Sequence, residues 1–204
     1  GFPFPDETFD AVYGSHVLEH MDTETGLGLL KECFRVLNPG GIVRIAVPDL
    51  ESIVRLYLSC LEGALIGDGD SEKRYDWMMM ELYDQAVRRK SGGKMSACLG
   101  QNHEDNFSRF LANRIGDAGR AQYQRPGRDL WSASAFVARG RTAVMALKTM
   151  AASALVGLVL GKEGVEALRE GMFRRSGEVH NWMYDQFSLR RALERTGFVD
   201  VKVC

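Results

Sequence analysis

Five residues near the start of the chain carry much of the chemistry that this sequence offers. Gly14, Ser15 and His16 run into Val17-Leu18-Glu19-His20, so a hydroxyl, two imidazoles and a carboxylate fall close together. A glycine lets the backbone approach a ligand, and serine and histidine supply hydrogen bonds near it. Read by spacing alone, H-x-x-E-H on a helix sets His16 and His20 on one face, fit to bind zinc with Glu19 as base. Such a site needs a third protein ligand, for which Glu104, beside His103, is the suggestive candidate. A second cluster, His180, Trp182, Tyr184 and Asp185, stands far along the chain. His180 or Tyr184 could take a proton from a hydroxyl acceptor. Each residue also has a plainer role: Ser15 capping a turn, Glu19 and His20 solvated on a short helix, His180 and Tyr184 packing one segment onto another.

These groups need elements to hold them. Phe9 to Tyr13 is a short apolar and aromatic run that predicts a buried strand. Asp22 or Thr23 can cap a helix in which Leu27, Leu30, Phe34 and Leu37 form one stripe. Asn38-Pro39-Gly40-Gly41 stops that helix, and Ile42 to Val47 follows as an apolar strand broken only by Arg44. Strand, helix, turn and strand make a βαβ unit, which places Tyr13 to His16 at a strand's carboxyl end, where open α/β sheets bind ligands. Asp49 ends the second strand and suits a helix cap. A second such unit closes the chain: Ser188 caps a helix with Leu189, Ala192 and Leu193, Gly197 ends it, and Val199, Val201 and Val203 alternate as a strand. Between the units, Leu50 to Leu61 and Trp77 to Val87 predict amphipathic helices, and Ser91 to Arg128 mostly loop with short helices.

The segment from Phe2 to Pro48, FPFPDETFDAVYGSHVLEHMDTETGLGLLKECFRVLNPGGIVRIAVP, closely resembles the class I methyltransferase family of the type-11 kind. Its marks are Pro3 to Asp6, Thr8-Phe9-Asp10, His16 to His20, Arg35 to Gly41 and Gly41 to Val47, in that order; HNWMYDQFSLRRALERTGFVDVKV resembles the family's penultimate helix and sixth strand. The resemblance implies an α/β, Rossmann-like sheet represented by its fourth to sixth strands, the carboxy-terminal portion of the domain. Residues 1–49 would be core, 50–185 a mainly helical insertion capping the acceptor, and 186–204 a core helix and the sixth strand. The family's glycine-rich loop and ribose-binding acid would lie upstream of Phe2, so these 204 residues alone are expected to be inactive. S-adenosyl-L-methionine is the implied cofactor, flanked by Phe4, Asp6, Gly14, Ser15 and His16. His16, Glu19, His20, His180 and Tyr184 are the implied catalytic, acceptor-side residues, and no metal is expected.

Composition narrows the partners. With 45% hydrophobic and 26% charged residues, the chain can bury a sizeable core. A net charge of −1 argues against a nucleic-acid binder. Locally, Phe107 to Met150 holds eight basic residues (Arg109, Arg114, Arg120, Arg125, Arg128, Arg139, Arg141, Lys148) against Asp117 and Asp129, a balance of +6. That segment is either a solvated face or the seat of an anionic acceptor, such as a phosphorylated or nucleotide-linked sugar. Thr142 to Leu160 is the most apolar stretch; its charge-free part is too short for a bilayer span of about 20 residues, so a buried helix is expected, with membrane-surface contact or dimerisation through 142–160 as the alternative. Cys33, Cys60, Cys98 and Cys204 form no C-x-x-C pair, and a cytoplasmic setting is expected. The sequence is thus expected to encode a methyltransferase acting on a small or glycan-type acceptor. The competing readings are a non-catalytic methyltransferase-like interaction module and an H-x-x-E-H zinc protease.

Overall fold

A computed structural model of the protein describes residues 1–124 and 133–203, with side chains over 1–116 and 149–203. Most of the basic segment singled out above therefore lies outside the described residues: the side chains of Arg120, Arg125, Arg128, Arg139, Arg141 and Lys148, and of Asp117 and Asp129. Cys204 lies outside them too.

The elements run β1 (Phe9–Ser15), α1 (Thr23–Val36), β2 (Leu37–Ala46), α2 (Leu50–Leu65), α3 (Gly69–Val87), α4 (Gly93–Leu99), α5 (Asp105–Gln124), α6 (Ala133–Arg174) and α7 (Gln186–Arg195), with a 3-10 turn at Leu18–His20 between β1 and α1. The chain is α/β: a small parallel sheet with helices over most of the remainder. It divides into two compact units, one of residues 1–88, 93–95 and 177–204, the other of 89–92 and 96–176.

The expected βαβ unit forms, but its first strand is not the buried one expected: no residue of β1 is buried, and Tyr13 is 66% exposed. β1 and β2 pair in parallel, with Ala11 opposite Ile42 and Ser15 opposite Ala46. The ladder slips between Phe9, opposite Leu37, and Ala11, which accommodates Asn38 to Gly41 as a bulge. Gly40 sits there at φ 80°, a conformation glycine adopts without steric cost, and Asn38 Nδ2 donates to Asp10 Oδ1 at 2.8 Å. So β2 starts before the glycines and not after them. Asp22 caps α1 by accepting from the Thr25 amide at 2.8 Å, and α1 buries Gly26, Leu30, Cys33 and Val36. Phe34, placed on the buried stripe by sequence, is instead exposed on α1, its ring edge-on to Phe198.

Leu18, Leu30, Tyr184 and Leu193 form the core over the sheet, joined by Val43, Ile45, Val47, Phe198 and Val201. Each fully buried leucine there contributes about 1.5–3 kcal/mol. The expected sixth strand is not formed among the described residues: the sheet has two strands, and Val199 to Val203 pairs with neither. Asp200 takes φ 54°, which interrupts an extended run, and Val199 and Val203 are exposed while Val201 reaches the core.

In the first unit, α2 and α3 follow the sheet as a helix pair, so the helical region set at 50–185 by sequence does not coincide with one compact unit. In the second unit, Phe107 stacks on Phe110 and meets His103 edge-on. α6 breaks at Gly161 (φ 67°), and a Cβ on Gly157 would stand 3.3 Å from Val165. The buried helix expected over 142–160 is corrected in its described part: Met150, Leu155, Leu158, Val159 and Leu160 are exposed. No described helix is long and apolar enough to cross a membrane.

Candidate functional site

At the carboxyl end of β1 the chain leaves the sheet through His16, whose amide still donates to Ala46 O at 3.0 Å. His16 then adopts φ 53°, a left-handed conformation that a side chain with a Cβ occupies at a cost of about 1–2 kcal/mol. Such outliers gather at functional sites because the surrounding structure must hold them in place. The turn leaves the His16 side chain 69% exposed while Nδ1 lies 3.1 Å from Glu19 Oε1.

Glu19 is the unusual member, only 1% exposed, with Oε2 buried and without a hydrogen-bond partner. An unsatisfied buried oxygen of this kind costs about 1–3 kcal/mol. Its backbone carbonyl accepts from the amides of Asn181 (2.8 Å) and Trp182 (3.1 Å), and the Asn181 side chain donates to His20 O at 2.7 Å. The 3-10 turn is thereby tied to the segment that precedes α7. That segment is also anchored to α3, where the His180 amide donates to Gln85 O at 2.9 Å and the Arg88 guanidinium to Glu178 O.

These ties bring His20 against His180, their rings edge to face with centroids 4.7 Å apart. His20 Nδ1 lies 3.3 Å from Val179 O, and because a carbonyl only accepts, Nδ1 carries the proton. Burial, and then the nearby His20, Arg88 and His16, push the His180 imidazole down to about 4, so it is neutral at physiological pH. Tyr184 lies in the core, its hydroxyl over Gly26, where an added Cβ would stand 3.1 Å away. Burial, followed by Asp22 and Glu19, raises its phenol, which stays protonated. Its backbone forms a parallel bridge with Asp49, and Leu50 N donates to Tyr184 O at 2.8 Å.

The structure thus gathers Ser15, His16, Glu19, His20 and His180 about the turn after β1. It does not bring Phe4 and Asp6 to them. Both precede β1 at its opposite end, Phe4 edge-on to Phe9 and Asp6 paired with Arg35 at 2.6 Å. A strand of seven residues spans roughly 20 Å. Asp49 holds the amides of Glu51 and Ser52 as the α2 cap, the plainer role expected of it. The long helix that a zinc protease would need is not formed, since only Leu18 to His20 is helical and His16 lies outside it. Sequence reading missed Asn181 and Arg88, which fix the site from a distance; no local pattern marks a side chain that caps a carbonyl 161 residues away.

Residues 1–45 match a family model described as a methyltransferase domain. A protein named probable methyltransferase ltbC, from Aspergillus luteorubrus, is 30% identical over 125 residues, which cover 56% of this chain and 44% of that protein. The chain therefore spans less than half the length of this curated relative. No solved structure matches.

Proposed function

We propose that the protein transfers a methyl group from S-adenosyl-L-methionine to a small-molecule or glycan-type acceptor, a reading supported by the match of residues 1–45 to a methyltransferase-domain model. The observation that carries this reading is the left-handed His16 at the carboxyl end of β1, bonded to a buried Glu19 within the matched segment. A strained residue at that end of a parallel pair fits one edge of a bound nucleoside. Gly14, Ser15 and His16 would hold the donor by close backbone approach and hydroxyl contact, whereas Phe4 and Asp6 brace the approach to β1. When bound, the donor supplies an electrophilic methyl on a sulfonium that becomes neutral on transfer.

The chain's own residues then have distinct tasks. With Nδ1–H donated to Glu19, His16 presents Nε2 as the base for an acceptor hydroxyl, and Glu19 stabilises the imidazolium that forms. His20 and His180 line the acceptor side, and Tyr184 supports them from the core. The basic residues of 107–150 would favour an anionic acceptor. The test is transfer of labelled methyl from S-adenosyl-L-methionine by the full-length protein, assayed against a panel of hydroxylated, phosphorylated and glycan acceptors. Labelled product is expected. A full-length protein that binds the donor yet methylates no oxygen, nitrogen or carbon acceptor would sink the proposal.

A further inference from the structure

We propose that Glu19, His20 and His180 form a binding site for one divalent transition-metal ion, held by two imidazoles and one carboxylate. One ligand atom of each residue lies within 4.8 Å of the other two. Zinc-type bonds of about 2.0–2.2 Å require ligand atoms about 3.4 Å apart, a closure within reach of side-chain rotation. The hydrogen bonds around the cluster leave the needed lone pairs free. His16 holds Oε1 of Glu19 and leaves the buried Oε2 unpartnered. Val179 O takes the His20 Nδ1 proton and leaves Nε2 bare. His180 is buried and packed edge to face on His20, with ring centroids 4.7 Å apart.

Orientation of each ligand by an outer partner is what metal sites display, and here His16 and Val179 supply it. The ion would also answer the cost of the orphaned Glu19 oxygen, which the protein alone does not meet. The set differs from the H-x-x-E-H reading of the sequence. His16 stands behind the carboxylate, and His180 from the far end of the chain takes the place expected of it. Three protein ligands leave a fourth position for water or an acceptor oxygen, as in catalytic and not structural zinc sites.

The inference goes beyond the methyl-transfer reading and does not depend on it. Full-length protein, stripped with a chelator, is titrated with zinc chloride alone by calorimetry, and with cobalt(II) followed by visible absorption. One ion per chain at micromolar affinity or tighter is expected, with a rise in Tm and a visible cobalt band. Glu19→Gln and His180→Asn should each weaken binding about tenfold or more. His103→Ala, which removes the imidazole beside Cys98, should not. Circular dichroism checks that the variants fold; if one does not, His20→Asn is titrated in its place. No stoichiometric ion on the parent, or parent-like affinity in the folded ligand variants, overturns the site. Ion binding without methyl transfer would remove the proposed function and leave this site standing, and the reverse result would do the opposite.

Discussion

His20 and His180 meet edge to face with ring centroids 4.7 Å apart, and it is the Glu19 carbonyl between β1 and α1 that brings them there, by accepting the amides of Asn181 and Trp182. A single backbone oxygen so couples the turn after β1 to the segment before α7.

The role of His16 can be separated from the strain it bears. Asparagine tolerates the left-handed backbone and can still donate to Glu19, but it cannot take a proton. His16→Asn in the full-length protein should lower kcat about 10²–10⁴-fold while Tm stays close to that of the parent. Unchanged turnover would remove His16 as the base.

Two glycines of α1 should respond in opposite ways to alanine. Nothing lies within 4 Å of a Cβ added at Gly28, so Gly28→Ala should stabilise by about 0.5–1 kcal/mol. At Gly26 the new methyl would stand 3.1 Å from the Tyr184 hydroxyl and 3.2 Å from Leu18 Cδ1. Crowding there should cancel the gain or reverse it. Urea unfolding of both variants checks the pair, and equal stabilisation would mean that Tyr184 does not sit over Gly26.

Glu32 sets a pH window. Hydrogen bonds from Arg35 first, and from the Phe2 amide second, hold its carboxyl down at about 2, against an ordinary value of 4.5. A group depressed in the folded state contributes stability above its unfolded value and loses it as pH falls through the folded one. The Tm difference between parent and Glu32→Gln should therefore be full at pH 6, shrink below about 4.5, and vanish near pH 2. A difference that persists at pH 2 would show that the contact is not ionic.

Asp185 accepts from the Ser188 amide at 2.7 Å while the Ser188 hydroxyl accepts from the Asp185 amide at 3.0 Å, a reciprocal cap on α7. Asp185→Ala should cost about 1 kcal/mol in chemical denaturation. A loss below a few tenths would mean that α7 is held by Leu193 alone.

Much of the strand unit was legible in the sequence because its signals are local. Phe9 to Tyr13, Asp22, the Asn38 to Gly41 break and Asp49 act through neighbours within a few positions. Other features depend on contacts that spacing does not encode. Val199, Val201 and Val203 alternate as a strand would, yet Asp200 turns left-handed and no strand lies beside them in the described sheet. Tyr184 looks like an acid or base by type but fills the space left by Gly26. The apolar run ending at Leu160 suggests burial, but its described part is exposed. The site was half legible: His16 to His20 is contiguous, whereas the approach of His180 exists only once the chain has folded back.

The bridge between Asp49 and Tyr184 makes the chain depart from the strand unit and return to it at one point. The entropy of closing a flexible excursion grows only with the logarithm of its length, about 0.6 kcal/mol per doubling. A change in the length of that excursion therefore weighs little on the pairing of β1 with β2, but its last residues, His180 to Trp182, and the Gln85 that anchors them are what hold the turn after β1 in place.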